Sequence, residues 1–314
     1  MSASAPRKIL IASQGDETRW KEAMTTRLPD ATIYTQDEDY NPAKIDYALL
    51  WKQPQGMIKN LENIRAIFSL GAGVEHVLSA PSLPEDVPII RLEDAGMAQQ
   101  MIEYHIYATL HFMRDFDHYL RHEKEGDWHP HDVAEISAFR VGVMGLGALG
   151  AAVATSLSNL GFHVSGWSRR MKAIENVATF AGDETLDEFL GQSDILICLL
   201  PRTRQTEGLL DSARLSKLPA NAAIINASRG TAIVEEDLLR LVDTGHLRGA
   251  FLDVARNEPL PKGHPFWNHP KIRLTPHIAA ATRIGPAVDQ IADNIDRLEK
   301  GETPAGLVDR DTGY

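Results

Sequence analysis

The stretch RVGVMGLGALGAAVATSLSNLGF, residues 140–162, carries the strongest indication of the fold. In it an apolar run leads into Gly145, Gly147 and Gly150, spaced as G-x-G-x-x-G, and then into an alanine-rich segment. A strand, a glycine turn and a helix in this order are typical of a dinucleotide-binding unit, in which the anionic pyrophosphate lies at the helix N-terminus. The three glycines permit, in order, a tight turn, close approach of the backbone to the pyrophosphate, and close packing of helix on strand. A glycine turn without a ligand is the alternative.

Short apolar and β-branched runs of the same kind recur on both sides of this stretch, separated by amphipathic segments. The predicted strands cover 8–13, 31–35, 47–51, 64–70 and 88–92 in the first hundred residues, and then 140–145, 162–167, 194–200, 222–228, 249–254 and 272–278. Strands that alternate with helices predict an α/β protein with parallel sheets. With 314 residues, the chain is long enough for two domains, one for each set of strands.

Between the two sets of strands, residues 97–122 have the apolar spacing of one long, deeply packed helix that bridges the domains. Its apolar positions are Met101, Tyr104, Ile106, Tyr107, Leu110, Phe112, Met113 and Phe116. A final helix is predicted over 284–300, and we expect it to return to the first domain. The expected domains are therefore residues 1–102 with 284–314, which bind substrate, and residues 103–283, which bind the dinucleotide.

Composition narrows the classes of function. A net charge of −11 opposes non-specific binding to nucleic acid, and no apolar run is long enough to span a membrane. The polar start of the chain and the short apolar run behind it do not resemble a secretory signal. The one cysteine, Cys198, lies in an apolar run, which excludes a disulfide framework and favours a buried, reduced thiol in a cytoplasmic protein.

The end of the second strand of the dinucleotide unit indicates which cofactor binds. Where NAD-binding proteins usually place an acid for the ribose 2′-hydroxyl, this chain has Ser168, Arg169 and Arg170. A guanidinium binds a 2′-phosphate that a carboxylate would repel, so NADP(H) is the preferred cofactor and NAD(H) the second choice. The alternative is a pair of solvated surface arginines; Arg202 and Arg204 either extend the same positive rim or are solvated as well.

Three polar segments follow later strands of the second domain: NASRG at 226–230, ARNEPLP at 255–261 and LTPHIAAATR at 274–283. Open α/β sheets place ligand sites at the carboxyl ends of their strands, so Arg229, Glu258 and His277 are expected to meet. Reduction of a 2-keto acid needs a proton on oxygen, which a histidine can supply, and a carboxylate on its other ring nitrogen fixes the tautomer. An arginine can hold the substrate carboxylate and polarise the keto oxygen. Taken singly, each residue also fits a structural or solvated role.

The order of GLGALG, LLPRTRQTEGLL, NASRG, GAFLDVARNEPLP and TPHIAA resembles the D-isomer-specific 2-hydroxyacid dehydrogenases, over nearly the whole chain. The resemblance is closest to the subgroup of glyoxylate and hydroxypyruvate reductases, whose members also look like this chain at its WSR segment. It implies NADPH-dependent reduction of glyoxylate to glycolate and of hydroxypyruvate to glycerate. It also implies two doubly wound parallel-sheet domains, one Rossmann-type and one flavodoxin-like, with a cleft between them, and a homodimer formed through the cofactor domain.

The resemblance also assigns residues. Arg229, Glu258 and His277 become the catalytic set, and Asp253 the carboxylate near the nicotinamide carboxamide. The cofactor surface would comprise Gly145, Leu146, Gly147, Ala148, Leu149, Gly150, Ser168, Arg169, Arg170, Leu200, Pro201, Thr206, Ala227, Ser228, Arg229, Asp253, His277 and Ala279. The substrate would meet Trp51, Ala72, Gly73, Val74, Arg229, His277 and Arg283. For Trp51 a place at the edge of the core, and for Arg283 a place at a helix start, are the alternatives.

Two other functions compete with this one. Twelve histidines include His118, His122, His129 and His131 close together in sequence, but no compact set with the spacing of metal ligands accompanies them, so no metal is expected. A corepressor-like protein that senses nucleotides on the same scaffold is the stronger rival, because fold alone does not determine function. The intact set of Arg229, Glu258 and His277 favours an enzyme.

Overall fold

The structure is a computed structural model that describes residues 6–314. Residues 1–5 lie outside the described part of the chain. The prediction that the start of the chain does not resemble a secretory signal concerns these residues. Two compact units are formed, one by Met1–Met97 with Thr282–Tyr314 and the other by Ala98–Ala281. The domain boundaries expected after residues 102 and 283 lie a few residues beyond the observed boundaries, which follow Met97 and Ala281. The first unit is discontinuous in sequence.

The described residues form twelve strands and nine α-helices. The strands are β1 (Lys8–Ser13), β2 (Thr32–Thr35), β3 (Tyr47–Trp51), β4 (Ala66–Ser69), β5 (Ile89–Ile90), β6 (Arg140–Met144), β7 (His163–Ser168), β8 (Ala178–Ala181), β9 (Ile195–Cys198), β10 (Ala222–Asn226), β11 (Leu247–Leu252) and β12 (Ile272–Leu274). The helices are α1 (Glu17–Arg27), α2 (Glu75–Leu78), α3 (Ala98–Met113), α4 (Phe116–Glu125), α5 (Ala148–Asn159), α6 (Leu186–Gly191), α7 (Ser212–Leu215), α8 (Glu235–Asp243) and α9 (Ile284–Glu299). None of these helices combines the length and the apolar character needed to cross a bilayer.

In the first unit, five parallel strands run in the order β2-β1-β3-β4-β5. The predicted final helix, α9, packs against α1 in this unit, where Arg27 forms ion pairs with Asp289 and Asp293. Arg7, just before β1, similarly pairs with Glu299 at the end of α9. Leu10 of β1 and Val308 near the other end of the sequence belong to the same hydrophobic core.

In the second unit, seven parallel strands run in the order β12-β11-β10-β9-β6-β7-β8. The chain runs outward from β6 to β8, returns to the centre at β9 and then runs outward to the opposite edge. The strand order thus reverses between β6 and β9, and in open α/β sheets this reversal marks the crevice where ligands bind. Both sheets are parallel, which confirms the predicted α/β architecture of two parallel-sheet domains.

Two elements differ from those predicted. Strand β8 was not predicted, because this edge strand of four residues is only partly buried and lacks a strong apolar run. The single helix expected over 97–122 is wrong: α3 ends at Met113, Asp115 takes a left-handed φ of +57°, and α4 begins at the next residue. Two positions expected in the core, Tyr107 and Phe116, are 61% and 47% exposed.

An ion cluster holds the break between α3 and α4 against the sheet. Arg248, on β11, is nearly buried and binds Asp115 at 2.5 Å and Asp117 at 2.6 Å. Aspartate tolerates the left-handed conformation better than most residues, and here its carboxylate is fixed by the buried guanidinium. The two aspartates and Arg248 therefore anchor the break between α3 and α4 to β11.

We predict that Arg248→Met lowers the free energy of unfolding of this unit by about 3 kcal/mol, because two carboxylates lose a buried partner. The control is Arg240→Met on α8, whose guanidinium binds Asp237 but is 53% exposed, and which should change stability by about 0.5 kcal/mol at most. Urea unfolding measures both variants. Equal losses would show that the buried cluster has no special weight.

Candidate active site

The predicted glycine turn joins β6 to α5 where the strand order reverses. Gly145 has a φ of +96°, and a Cβ added to it would lie 2.5 Å from the carbonyl oxygen of Leu199. A Cβ added to Gly150 would lie 1.8 Å from the carbonyl oxygen of Gly145, so α5 packs against the turn at a distance that only glycine permits. Gly147, by contrast, is exposed and has open space around its Cα. The backbone of the turn is therefore accessible at the residue predicted to face the pyrophosphate.

The N-terminus of α5 has the properties of an anion site. Its N-cap is Gly147, so no side chain caps the helix, and the first N–H groups remain available together with the positive end of the helix dipole. Leu146 is buried against Gly166, whereas Ala148 is exposed and Leu149 half-buried. The turn therefore offers mainly backbone groups to a ligand.

The segment predicted to select the cofactor lies beside this turn. Met144 and Trp167 are partners in the register of β6 and β7, so Ser168 follows at the same carboxyl edge as Gly145. Arg169 and Arg170 are exposed there. The hydroxyl of Ser168 donates to the carbonyl oxygen of Arg170 at 2.7 Å, so its proton is engaged within the segment. The two guanidinium groups, rather than the serine, are the groups best suited to a phosphate.

The loop after β9 forms the other side of the reversal point. The hydroxyl of Thr206 donates to the carbonyl oxygen of Pro201 at 2.6 Å and accepts the N–H of Thr203 at 2.8 Å, which fixes the loop on itself. Arg202 and Arg204 are exposed. The remaining residues predicted to contact the cofactor are buried at or near strand ends: Leu200, Ala227, Ser228 and Ala279. Their contacts with a cofactor stay predictions.

Asn226, the last residue of β10, fixes the turn that presents Arg229. Its side-chain oxygen accepts the N–H and the hydroxyl of Ser228 at 3.1 and 2.9 Å, and its amide donates to the carbonyl oxygen of Arg229 at 3.1 Å. The guanidinium of Arg229 donates to the carbonyl oxygen of Ser228 at 2.7 Å and is half-buried. The turn therefore directs this cation to the carboxyl edge of the sheet.

Gly230 brings this turn against the next polar segment. A Cβ at this residue would lie 1.9 Å from the carbonyl carbon of Ala255, and backbone atoms cannot move aside as a flexible side chain could. Arg229 is thereby held near Glu258, close enough for its charge to act on that carboxylate. Two of the three predicted catalytic residues are thus neighbours.

Glu258 and His277 form the central contact of the site. A carboxylate oxygen of Glu258 lies 2.7 Å from Nδ1 of the His277 ring, and the other accepts the N–H of Ala255 at 3.1 Å. An ionised carboxylate only accepts, so Nδ1 carries the proton of this contact and Nε2 is left for a substrate. His277 is 45% exposed, which leaves the ring accessible.

Electrostatics keep Glu258 in the form that this contact needs. Partial burial raises the pKa of the Glu258 carboxyl, but the hydrogen bonds from His277 and Ala255 and the positive charge of Arg229 together outweigh burial. The pKa therefore lies below its usual value, and the carboxylate stays ionised at neutral pH. The three predicted catalytic residues meet as expected and form one interacting group.

His277 has a φ of +57°, a conformation that a side-chain-bearing residue adopts only when its surroundings hold it. Asp253, which follows β11, provides these surroundings. Its main-chain oxygen accepts the N–H of His277 at 2.8 Å, and its buried carboxylate accepts the N–H groups of Ile278 and Ala279, both at 2.8 Å. The predicted role of Asp253 at a nicotinamide carboxamide stays a prediction, whereas its bonds to this loop are observed.

The other residues predicted to meet the substrate belong to the first unit. Trp51 ends β3, its ring lies edge-on to His76 at 4.8 Å, and a Cβ on Gly71 would lie 2.6 Å from it. In the turn after β4 the carbonyl oxygen of Gly73 accepts the hydroxyl of Ser69, Ala72 is half-buried, and Val74 is buried. Arg283 is the N-cap residue of α9 and exposed. Both structural alternatives, the edge of the core for Trp51 and the helix start for Arg283, describe these positions, and contact with substrate stays a prediction.

The residues weighed for other chemistry have structural surroundings. The rings of His122, His129 and His131 lie within 5.3–6.1 Å of one another, yet no group of three or more possible ligands in the described residues is placed to hold a metal ion. Cys198 is fully buried, and burial raises the pKa of its thiol. Its position confirms the predicted buried thiol.

The residues that hold the site in place were not predicted from the sequence. Asn226 and Thr275 make side-chain hydrogen bonds that fix the turns carrying Arg229 and His277, and Gly230 permits the close backbone contact. A polar side chain at the last position of an apolar run is a signal for such a role, because strand ends need partners for their turns. For Gly230 no such signal exists, since the sequence does not reveal which backbone it would touch.

Comparison with known proteins shows which family this chain belongs to. Residues 106–279 match the family model for the NAD binding domain of the D-isomer specific 2-hydroxyacid dehydrogenases. A glyoxylate/hydroxypyruvate reductase A of Serratia proteamaculans is 44% identical over 301 residues, which cover 94% of this chain and 96% of the relative.

Solved structures give the same result. A D-isomer specific 2-hydroxyacid dehydrogenase of Xanthobacter autotrophicus Py2, in complex with NADPH and MES, is 37% identical with a TM-score of 0.95, covering 99% of this chain and 100% of that one. An NADPH-dependent glyoxylate/hydroxypyruvate reductase of Sinorhizobium meliloti, in complex with NADP and sulfate, is 34% identical with a TM-score of 0.92, covering 98% of this chain and all of the other. The chain therefore belongs to the D-isomer-specific 2-hydroxyacid dehydrogenase family.

Proposed function

We propose that this protein is an enzyme that reduces small 2-keto acids with NADPH, converting glyoxylate to glycolate and hydroxypyruvate to glycerate. The observation that carries the proposal is the 2.7 Å contact between Glu258 and Nδ1 of His277, with Arg229 beside it, in a member of this family. Relatives named for these two substrates cover nearly the whole chain, which supports the choice of substrate class.

The residues present fit a dinucleotide phosphate. Gly147 leaves open space at the uncapped N-terminus of α5, and the exposed guanidinium groups of Arg169 and Arg170 follow the adjacent strand. An arginine pair can bind the 2′-phosphate that NADP(H) carries and NAD(H) lacks, which favours NADP(H) over NAD(H). NADP and NADPH are bound in two similar solved structures. When bound, the reduced nicotinamide supplies the hydride.

The side chains of the site perform the remaining steps. Arg229 holds the carboxylate of the keto acid and polarises its keto oxygen, because its charge is permanent and its donors are fixed in one plane. Glu258 holds one proton of the protonated His277 ring on Nδ1. The other proton, on Nε2, faces the keto oxygen and is delivered to it. The keto carbon gains a hydride and the oxygen a proton, which gives the 2-hydroxy acid.

The activity is tested by mixing the purified protein with NADPH and glyoxylate or hydroxypyruvate and following NADPH absorbance. We expect His277→Ala to lower kcat by a factor of about 10² to 10⁴, because the proton donor is lost. Arg229→Ala should also lower turnover by orders of magnitude, and Glu258→Gln should lower kcat because its amide no longer fixes the tautomer of the ring. NADPH binding, followed by fluorescence titration, should change little.

The matched control is Glu236→Gln on the exposed face of α8, which removes the same charge away from the site. Near-normal rates in His277→Ala or Arg229→Ala would refute the assigned roles. If the wild-type protein consumes no NADPH with glyoxylate, hydroxypyruvate or other small 2-keto acids, the enzyme proposal fails and the nucleotide-sensing, corepressor-like alternative takes its place.

The choice of cofactor has its own test. Replacing Arg169 and Arg170 together by serine should raise the KM for NADPH about tenfold or more, since a charge-assisted contact to the 2′-phosphate is removed, and should leave the KM for NADH nearly unchanged. The matched double variant replaces Arg202 and Arg204 by serine, and we expect a smaller change. Equal effects on NADPH and NADH would assign the first pair to the solvated surface.

We also propose that the enzyme is a homodimer. In the loop that follows α4, Trp128 is 98% exposed and Val133 72% exposed, and large apolar side chains of this kind on a surface favour association. Helix α3 and this loop belong to the cofactor-binding unit, where the family resemblance expects dimerisation. The cytoplasmic location stays a prediction.

Sedimentation analysis tests the dimer. One chain has a mass of 34.7 kDa, and the wild-type protein should sediment at twice that mass. Trp128→Ser should weaken association because apolar contact area is lost. Trp267→Ser serves as the control, since Trp267 is also exposed but lies in a different loop. A wild-type protein that remains a monomer at micromolar concentration refutes the proposal.

A further inference from the structure

A chain of side-chain hydrogen bonds runs from helix α3 to the loop of His277. The hydroxyl oxygens of Tyr104 and Thr275 lie 2.6 Å apart, and the hydroxyl of Thr275 donates to the carboxylate of Asp253 at 2.6 Å. A threonine hydroxyl has one proton, and here that proton goes to the carboxylate. The phenol of Tyr104 is therefore the donor to Thr275, and the direction of the whole chain is determined.

The end of this chain determines the position of the catalytic histidine. Asp253 accepts three hydrogen bonds through its carboxylate, from the hydroxyl of Thr275 and the N–H groups of Ile278 and Ala279, and one through its main-chain oxygen, from the N–H of His277. These contacts hold the residues on both sides of His277. The left-handed backbone of His277 persists only while they hold it.

Tyr104 is itself fixed in place. Its ring packs edge-on against Phe251 of β11 at a centroid distance of 5.6 Å, and the side chain is half-buried. Burial raises the pKa of its phenol well above the usual value. The hydroxyl is thus a proton donor at any physiological pH.

We propose that Tyr104 is a positioning residue for His277: through Thr275 and Asp253 it holds the loop that carries the proton donor. The role of His277 as proton donor rests on the proposed function, whereas the effect on the loop does not. Tyr104 lies on α3, more than a hundred residues before the loop in sequence. It was predicted as an apolar position of the helix and not as a residue of the site.

The chain offers a matched control on the same helix. Tyr107 also packs edge-on against Phe251, at 5.8 Å and the same interplanar angle of 88°, but it is 61% exposed and does not bond to Thr275. Tyr104→Phe and Tyr107→Phe remove the same atom from the same kind of ring contact. Only the first should interrupt the chain.

The test measures kcat, the dissociation constant of NADPH and amide hydrogen exchange in all variants. We expect Tyr104→Phe to lower kcat about fivefold, the effect of one lost hydrogen bond, with NADPH binding unchanged. Exchange in a peptide covering residues 275–280 should become faster in Tyr104→Phe and remain as in the wild type in Tyr107→Phe. Thr275→Val also removes the donor to Asp253, so it should lower kcat at least as much as Tyr104→Phe, whereas Thr275→Ser, which keeps the hydroxyl, should keep the wild-type rate.

A double-mutant cycle completes the test. In a Thr275→Val background the acceptor of Tyr104 is already absent, so adding Tyr104→Phe should cause no further loss. Independent, fully additive losses overturn the proposal, as do equal effects of Tyr104→Phe and Tyr107→Phe, or a change in kcat without a change in exchange. If the wild-type protein proves inactive with 2-keto acids, the proposed function fails, and the exchange data alone decide whether Tyr104 holds the loop.

Discussion

The buried carboxylate of Asp253 is the constraint on which the arrangement of the site depends. A charge removed from water must be compensated by hydrogen bonds, because an uncompensated one is very costly. In this protein the loop after β12 provides them, and in doing so it bends through a conformation that an ordinary residue avoids. The geometry of His277 is therefore a consequence of how a neighbouring charge is satisfied, rather than a property of the histidine.

The architecture was predictable because parallel sheets buried on both faces leave a clear trace in the sequence. The central strands β9 and β10 are fully buried, and their apolar runs, broken only by Asn226 at the end of β10, identify them. Where burial is partial, as in β8, the trace fades. The break between α3 and α4 was not predictable, because the partner of Asp115 at the break is Arg248, which comes more than a hundred residues later and meets Asp115 only in the folded chain.

The same distinction holds for the site. The groups proposed to perform chemistry, Arg229, Glu258 and His277, stand out because their types are complementary and each follows a strand. The groups that orient them do not stand out, since Thr275 and Tyr104 have ordinary neighbours in sequence and acquire their role through contacts in space. Ser168 shows the converse: its type suggested a ligand, but its hydroxyl is engaged within its own turn.

The two-part construction of the first unit has a consequence for the synthesis of the protein. α9 buries Val288, Ile291 and Ile295 in this unit, yet the ribosome makes α9 only after the whole of Ala98–Ala281. At ordinary rates of translation that interval is on the order of 10 to 40 s. During this time the early elements of the first unit have emerged without α9, which packs against α1, while the second unit, continuous in sequence, can fold at once. The nascent chain thus carries an exposed apolar face for many seconds, and the period in which it is most prone to aggregate is set by the length of the cofactor-binding unit.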